Sequence, residues 1–192
     1  MDDKIYKFLK YTAISLTIAW VGWSAYDSFF QNVNSGDRAY LAANRFFEDG
    51  QYQQALQEYN SALQEQPGHI HALRGKARSL MELEQYDQAL DVFNTAIAQQ
   101  PDFGGTYANR GILFDRMGKY QQAIEDYDRA LSLEPKLAEG PGWLTRFLRL
   151  QPEKPPTIAD RAQYLKQQLA KPESERVLRL PGEDEKQQSY KL

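Results

Sequence analysis

The sequence predicts an all-α chain, in which one apolar N-terminal helix is followed by a helical solenoid of three repeats and an irregular helical extension. Three observations predict it. Pro67, Pro101 and Pro135 stand 34 residues apart, twice over. The segments between them carry small and aromatic side chains in one recurring order. Ahead of them, no residue from Tyr11 to Tyr26 is charged.

Composition bounds the reading. Of 192 residues, 42% are hydrophobic and 26% charged, enough apolar matter for a packed domain rather than a disordered chain. The net charge of -3 gives no basic footprint for nucleic acid, since phosphate binding needs clustered positive charge. The chain has no cysteine, which excludes disulfides, thiolate catalysis and cysteine zinc sites.

The apolar run comes first. Residues 8–30 as a helix rise about 34 Å, against a hydrocarbon core of about 30 Å. Lys10 sits at the edge, where its ammonium can snorkel outward. Trp20, Trp23 and Tyr26 gather at the far end, as rings at a headgroup layer do. The expectation is a transmembrane signal-anchor over 8–30, preceded by a short tail over 1–10. Cleavage after Ser24, with Gly22 at the third position back, stays open as an alternative. Lys4, Lys7 and Lys10 precede the run, and the next basic residue is Arg38. The positive-inside rule then expects a single pass through an inner cell membrane, the N-terminus cytoplasmic and the repeats periplasmic. Ser15, Ala19 and Gly22 share one helix face and offer a docking face for another transmembrane helix, because small residues let backbones approach in lipid.

Aligning on the prolines superposes Gly50, Tyr52 and Ala55 on Glu84, Tyr86 and Ala89, and on Gly118, Tyr120 and Ala123. Tyr59, Phe93 and Tyr127 coincide, as do Ala62, Ala96 and Ala130. In the first half of each unit Ala43, Ala77 and Gly111 coincide, with Phe46, Leu80 and Phe114 three residues later. Each unit reads as two antiparallel helices with small residues at their closest approach. The units are 36–69, 70–103 and 104–137, with helices over 37–48, 52–65, 70–82, 86–99, 104–116 and 120–133. One unit cannot bury its apolar face alone, so three with caps approach the minimum for a stable array.

This period and pattern resemble the tetratricopeptide repeat (TPR), over residues 36–135. The resemblance implies a curved solenoid whose first helices line a concave protein-binding groove. It places Asp37, Tyr40, Asn44 and Phe47 there from repeat one, and His71, Arg74, Arg78 and Met81 from repeat two. Repeat three adds Gly105, Ala108, Ile112, Asp115 and Arg116. Tyr40, Phe47, Arg74 and Arg78 are the expected anchors, aromatic and arginine side chains being those that dominate binding hot spots. Arg74 and Arg78 lie four apart and project from one face. Chaperone-adaptor members of the family hold a C-terminal carboxylate with lysine, asparagine and arginine. The matching positions here are Tyr40, Asn44, Gly75, Gly105 and Asn109, so only Asn44 fits and that role is disfavoured.

Beyond Pro135 the pattern departs from the family. Gly140, Pro141 and Gly142 break the chain, and 138–150 reads as a capping helix with Trp143, Leu144, Phe147, Leu148 and Leu150 on its apolar face, opposite Arg146 and Arg149. Pro152, Pro155 and Pro156 form a stiff linker. Thr157 and Asp160 are spaced as a capping box for a helix over 157–170. Its narrow stripe is Ile158, Ala162, Leu165 and Leu169. In the remainder of 151–192, Pro172 opens another short turn carrying Val177, Leu178 and Leu180, and the tail from Pro181 onward is polar and reads as mobile.

No catalytic pattern is present: there is no GxSxG elbow, no GxxxxGK[ST] loop, no GxGxxG turn and no HExxH pair. His69 and His71, two residues apart, point to different helix faces. The chain reads as a non-enzyme with no cofactor and no metal. Its expected partners are other proteins, a peptide segment or a subunit of a membrane complex, together with the membrane itself and no nucleic acid. The sequence does not set the oligomeric state. The function implied is a membrane-anchored interaction scaffold, an assembly or biogenesis factor for an inner-membrane or periplasmic complex. The alternative is a permanent accessory subunit held by the anchor and the extension.

Overall fold

A computed structural model describes residues 3–31, 35–140, 155–180, 182 and 189–190. Its helices are α1 (Asp3–Gln31), α2 (Ser35–Glu48), α3 (Tyr52–Glu65), α4 (Ile70–Glu82), α5 (Tyr86–Gln99), α6 (Gly104–Arg116), α7 (Tyr120–Leu133) and α8 (Ile158–Leu169). Short 3-10 turns occupy Pro135–Ala138 and Glu173–Glu175. Among the described residues there is no strand.

α2 to α7 form three antiparallel pairs stacked in chain order. Each pair turns the same way. The N–H groups of residues 50 and 51 bond back to the carbonyls of Phe47 and Phe46, and the same bonds recur at Glu84 and Gln85 and at Gly118 and Lys119. This closure needs one residue with positive φ, here Gly50 (74°), Gly118 (74°) and, at the same register in repeat two, Glu84 (58°). Pro67 and Pro101 follow the second helices within two residues of their ends, where a residue without an N–H leaves no ladder bond unmade.

Packing follows the alternation of small and large side chains. A Cβ added to Gly111 would lie 2.7 Å from the Tyr127 ring, so α6 and α7 approach as closely as they do only because no side chain intervenes. Gly75 lies still tighter beneath Tyr59 of the preceding repeat, where an added Cβ would meet the ring at 2.2 Å. Tyr59, Phe93 and Tyr127 are fully enclosed, as are Ala62, Ala96 and Ala130. A small core joins repeat one to α4 through Ala43, Ala55, Tyr59, Ala62 and Ala72. A larger one runs from Leu56 through repeats two and three to Ile158, Ala162 and Leu165 of α8.

α8 therefore belongs to the solenoid. The Thr157 hydroxyl accepts from the Asp160 N–H while the Asp160 carboxylate accepts from the Thr157 N–H, which closes the capping box. The helix then lays its stripe against α7 and the 135–138 turn. The expected capping helix over 138–150 falls mostly outside the described residues. Among those described, 135–138 is a 3-10 turn and α8 covers the end of repeat three. The tail expected to be mobile is held at Ser189 and Tyr190, which are bonded to the repeats.

α1 differs in kind. Phe8, Leu16, Trp20 and Trp23 on it are all exposed. Yet no helix among the described residues is both long enough and apolar enough to cross a membrane. The shortfall lies in apolarity: 29 residues suffice in length, but Lys7, Lys10, the hydroxyl residues and the indoles lower the average. The expected transmembrane span over 8–30 thus finds no support in mean hydropathy. Ser15, Ala19 and Gly22 do share an open face, with nothing within 4 Å of a Cβ built on Gly22.

Candidate functional site: the face lined by the first helices

The first helices of the three repeats, α2, α4 and α6, supply the residues expected in the groove, and these divide into three kinds. Met81, Ile112 and Ala108 are wholly buried and belong to the core. Tyr40, Asn44 and Phe47 are half-buried at the repeat-one end. Arg74, Arg78, Asp115 and Arg116 are polar groups already engaged within the chain.

At the repeat-one end the rings gather. Tyr40 stands 4.7 Å from His69, 6.1 Å from His71 and 6.2 Å from Tyr59, centroid to centroid. His69 caps α4, its Nδ1 accepting from the Ala72 N–H, and its Nε2 lies 3.2 Å from Asp37. That is a structural task. His71 is exposed, and its pKa is lowered by desolvation, then by Arg74 and His69 nearby. Asn44 accepts the Tyr59 hydroxyl at 2.6 Å, and burial pushes that phenol up to about 12.

The two arginines do not project into open solvent. Arg74 is 1% exposed, stacked 3.9 Å over Phe103 and donating to Gln100 at 2.7 Å, while its Nε has no hydrogen-bond partner among the described residues. Arg78 is 9% exposed, with its guanidinium 4.1 Å over Phe47 and its Nε donating to Ser189 at 3.1 Å. Burial lowers the pKa of both. A guanidinium is weakly hydrated and stacks on aromatic faces, which is why it tolerates this enclosure.

At the repeat-three end the extension occupies the face. Arg161 of α8 grips Asp115 through two bonds of 2.6 and 2.8 Å, both side chains being under a tenth exposed. Its second nitrogen also donates to the Leu178 carbonyl. Arg179 donates to the Arg116 carbonyl, and Arg116 itself pairs with Glu82 of repeat two. Asn109 holds the backbone of Tyr190 on both sides, accepting its N–H at 2.7 Å and donating to its carbonyl at 3.1 Å. Asn109, Arg161, Ser189 and Tyr190 were not among the residues singled out as groove residues from the sequence. One signal was available. Positions 41, 75 and 109 are equivalent in the 34-residue register, and they carry Leu41, Gly75 and Asn109. Asn109 is the polar exception.

Two-helix units stacked side by side define the class: a helical-repeat domain. The type of repeat follows from the comparisons. Two tetratricopeptide-repeat models match the chain, one over residues 46–109 and one over 106–137. Residues 46–137 thus carry tetratricopeptide repeats, a fold of protein–protein interaction. Among solved structures it is similar to the first TPR of Spaghetti (RPAP3) bound to the HSP90 peptide SRMEEVD, at 20% identity and TM-score 0.58, over 73% of this chain and 97% of that one. The first TPR domain of human RPAP3 aligns at 21% identity and TM-score 0.55, over 69% and 90%. A MamA RS-1 ArsTM double mutant aligns at 25% identity and TM-score 0.51, over 57% and 61%. The first two likenesses concern the fold alone. The search of curated proteins gives no match.

Proposed function

We propose that this chain is a membrane-tethered TPR scaffold, held by α1 and presenting its groove to a protein segment during assembly of an inner-membrane or periplasmic complex. The observation that carries the tether is the contrast in burial. Among the described large apolar side chains of the repeats and of α8 only Leu41 is exposed, whereas those of α1 stand exposed along its length. Leaving so much apolar surface in water is unfavourable, at about 25 cal/mol per Å².

Mean hydropathy is a poor guide for this helix, for two physical reasons. It counts Trp20, Trp23 and Tyr26 against a membrane, although such rings favour the headgroup layer. It counts Thr12 and Thr17 as polar, although each hydroxyl donates to the carbonyl four residues back, at 2.9 Å in both cases. A hydroxyl satisfied inside its own helix asks nothing of the lipid. Three lysines before the apolar run and none within the rest of α1 favour a cytoplasmic N-terminus, which puts the repeats on the far side.

The groove reading rests on the fold of the repeats and on a face that holds Ser189 and Tyr190 of its own chain. The absence of lysine and arginine at the carboxylate-clamp positions argues against the HSP90 peptide recorded for the RPAP3 domain, and Asn44 is in any case engaged by Tyr59. The test joins topology to capture. Full-length protein should stay with membranes through carbonate washing, and alkaline phosphatase fused after residue 192 should be active in a bacterial host. Crosslinking through the groove should trap one defined subunit. Extraction by carbonate, or an inactive fusion, overturns the tether or its orientation.

A further inference from the structure

Asn109 is wholly buried on a face where its register partners are Leu41 and Gly75. A buried primary amide must place a donor and an acceptor, and both of Asn109's go to the main chain of Tyr190. An amide that bonds an N–H and the C=O of the same residue reads an extended backbone, as a neighbouring strand would, and is indifferent to the side chain there. The side chains are read separately. Ser189 presents its hydroxyl to Arg78 Nε at 3.1 Å, on the guanidinium that covers Phe47. The Tyr190 ring packs on the edge of the larger core. Its hydroxyl donates to the Leu137 carbonyl at 3.2 Å and accepts from the Ile158 N–H at 3.3 Å. A two-residue segment is thus held by contacts from α4, α6, α8 and the turn after α7. Three of these elements belong to the repeats and their closing turn, and α8 completes the pocket for the phenol.

Resting on the groove reading above, we infer that Ser189–Tyr190 is an internal, exchangeable ligand. The site recognises an extended segment carrying a hydroxyl residue followed by tyrosine. The chain's own segment fills it in cis, so a protein partner must bring a similar segment and displace it. Both residues of the docked segment remain partly exposed, and the polar contacts are hydrogen bonds without ion pairing. Such contacts are individually modest, and the covalent tether supplies a local concentration on the order of mM. That combination suits a gate that screens out weak ligands and yields to a matched one.

The test uses the full chain in detergent beside the same chain ended at Gly182, with a fluorescein-labelled peptide of residues 184–192 as probe. The shortened chain should bind the peptide at least tenfold more tightly than the intact chain. A peptide with Tyr190→Ala should bind at least tenfold more weakly. In the intact chain, hydrogen exchange at the Tyr190 amide should be slowed at least tenfold, and Asn109→Leu, which removes the acceptor of that N–H, should abolish this while helical content stays unchanged. The intact chain with Ser189→Gly and Tyr190→Ala should accept the wild-type peptide as the shortened chain does, which guards against misfolding on truncation. Equal peptide binding by intact and shortened chains overturns the proposal, as does an unprotected Tyr190 amide. A protected amide with no peptide binding in trans also overturns it, by making the segment a fixed strap. These measurements involve only this chain and its own segment. The tail can therefore prove undocked while crosslinking still finds a groove partner, and the groove can prove idle toward partners while the tail still exchanges.

Discussion

α1 and α8 both lie outside the repeats, and their fates are opposite. α8 carries a narrow stripe, and Ile158, Ala162 and Leu165 are almost completely enclosed against repeat three. α1 carries far more apolar surface, yet Leu16 is 65% exposed and Trp20 69%. The difference teaches that burial within the fold is decided by one-sidedness rather than by apolar content. A helix with one apolar stripe closes a solenoid, while a helix apolar around most of its circumference cannot be covered by one neighbour and needs a different surrounding.

The sharpest way to break the α8 side of this comparison is through its buried ion pair. Asp115 receives two bonds from Arg161 and one from the Tyr127 hydroxyl at 3.3 Å. Removing one member strands the other in a desolvated site, at a cost of about 3–5 kcal/mol. Arg161→Ala should therefore lower unfolding stability by about that amount in urea titrations. The pair Arg161→Met with Asp115→Leu should recover most of the loss, since it is the stranded charge that is costly. A small effect of the single substitution would mean that α8 is only loosely attached.

The comparison is sharpened by making one substitution in both helices. Leu165→Ala should destabilise by about 3 kcal/mol, as a fully buried leucine does when truncated. Leu16→Ala should leave unfolding of the repeats unchanged and should weaken retention in membranes instead. The glycines give a similar pair. Gly75→Ala forces a Cβ into the Tyr59 ring and should cost about 2 kcal/mol, within the usual range for overpacking. Gly22→Ala meets nothing within 4 Å and should stabilise α1 by up to about 1 kcal/mol. Loss of a membrane complex on Gly22→Leu would make the Ser15, Ala19 and Gly22 face a docking surface.

The repeats were legible because their physics is local and repeated. Gly111 opposite Tyr127 needs a small residue against a ring, and the 34-residue register displays that need along the chain. The capping box at Thr157 and Asp160 was legible for the same reason, its two partners being three residues apart. The site was less so. Arg74 and Arg78 do share a face, but no local pattern marks Phe103 and Phe47 as the rings beneath them, since Phe103 follows at the far end of repeat two and Phe47 comes from repeat one. Glu82, a neighbour of Arg78 by helical spacing, pairs instead with Arg116. Least visible was the docking of Ser189 and Tyr190, whose partners Arg78 and Asn109 lie 111 and 81 residues away. A polar stretch with no periodicity reads as solvated until its long-range partner is known.

The smallest effect is expected from pH, and it again sets an enclosed side chain against exposed ones. α1 displays Tyr6, Tyr11 and Tyr26 at its surface, whereas Tyr59 is wholly buried between α3 and α4 and donates to Asn44. Burial raises the Tyr59 phenol from 10.0 to about 12, with Arg78 pulling the other way and Tyr40 and Glu48 adding to the rise. Below pH 10 the phenol is protonated in both the folded and the unfolded chain, and the hydrogen bond to Asn44 is fully present. Between pH 10 and 12 the unfolded chain ionises first and the folded one resists, so stability falls as pH rises and the loss is complete near the folded value. At pH 11 it amounts to about 1 kcal/mol. Tyr59→Phe lacks the ionising group and should show a flatter decline over this window, while starting lower at pH 8 by about 1 kcal/mol for the lost hydrogen bond. Parallel alkaline curves for the two proteins would mean that Tyr59 ionises as readily folded as unfolded. Water would then have to reach it, and the close contact with Gly75 would have to open.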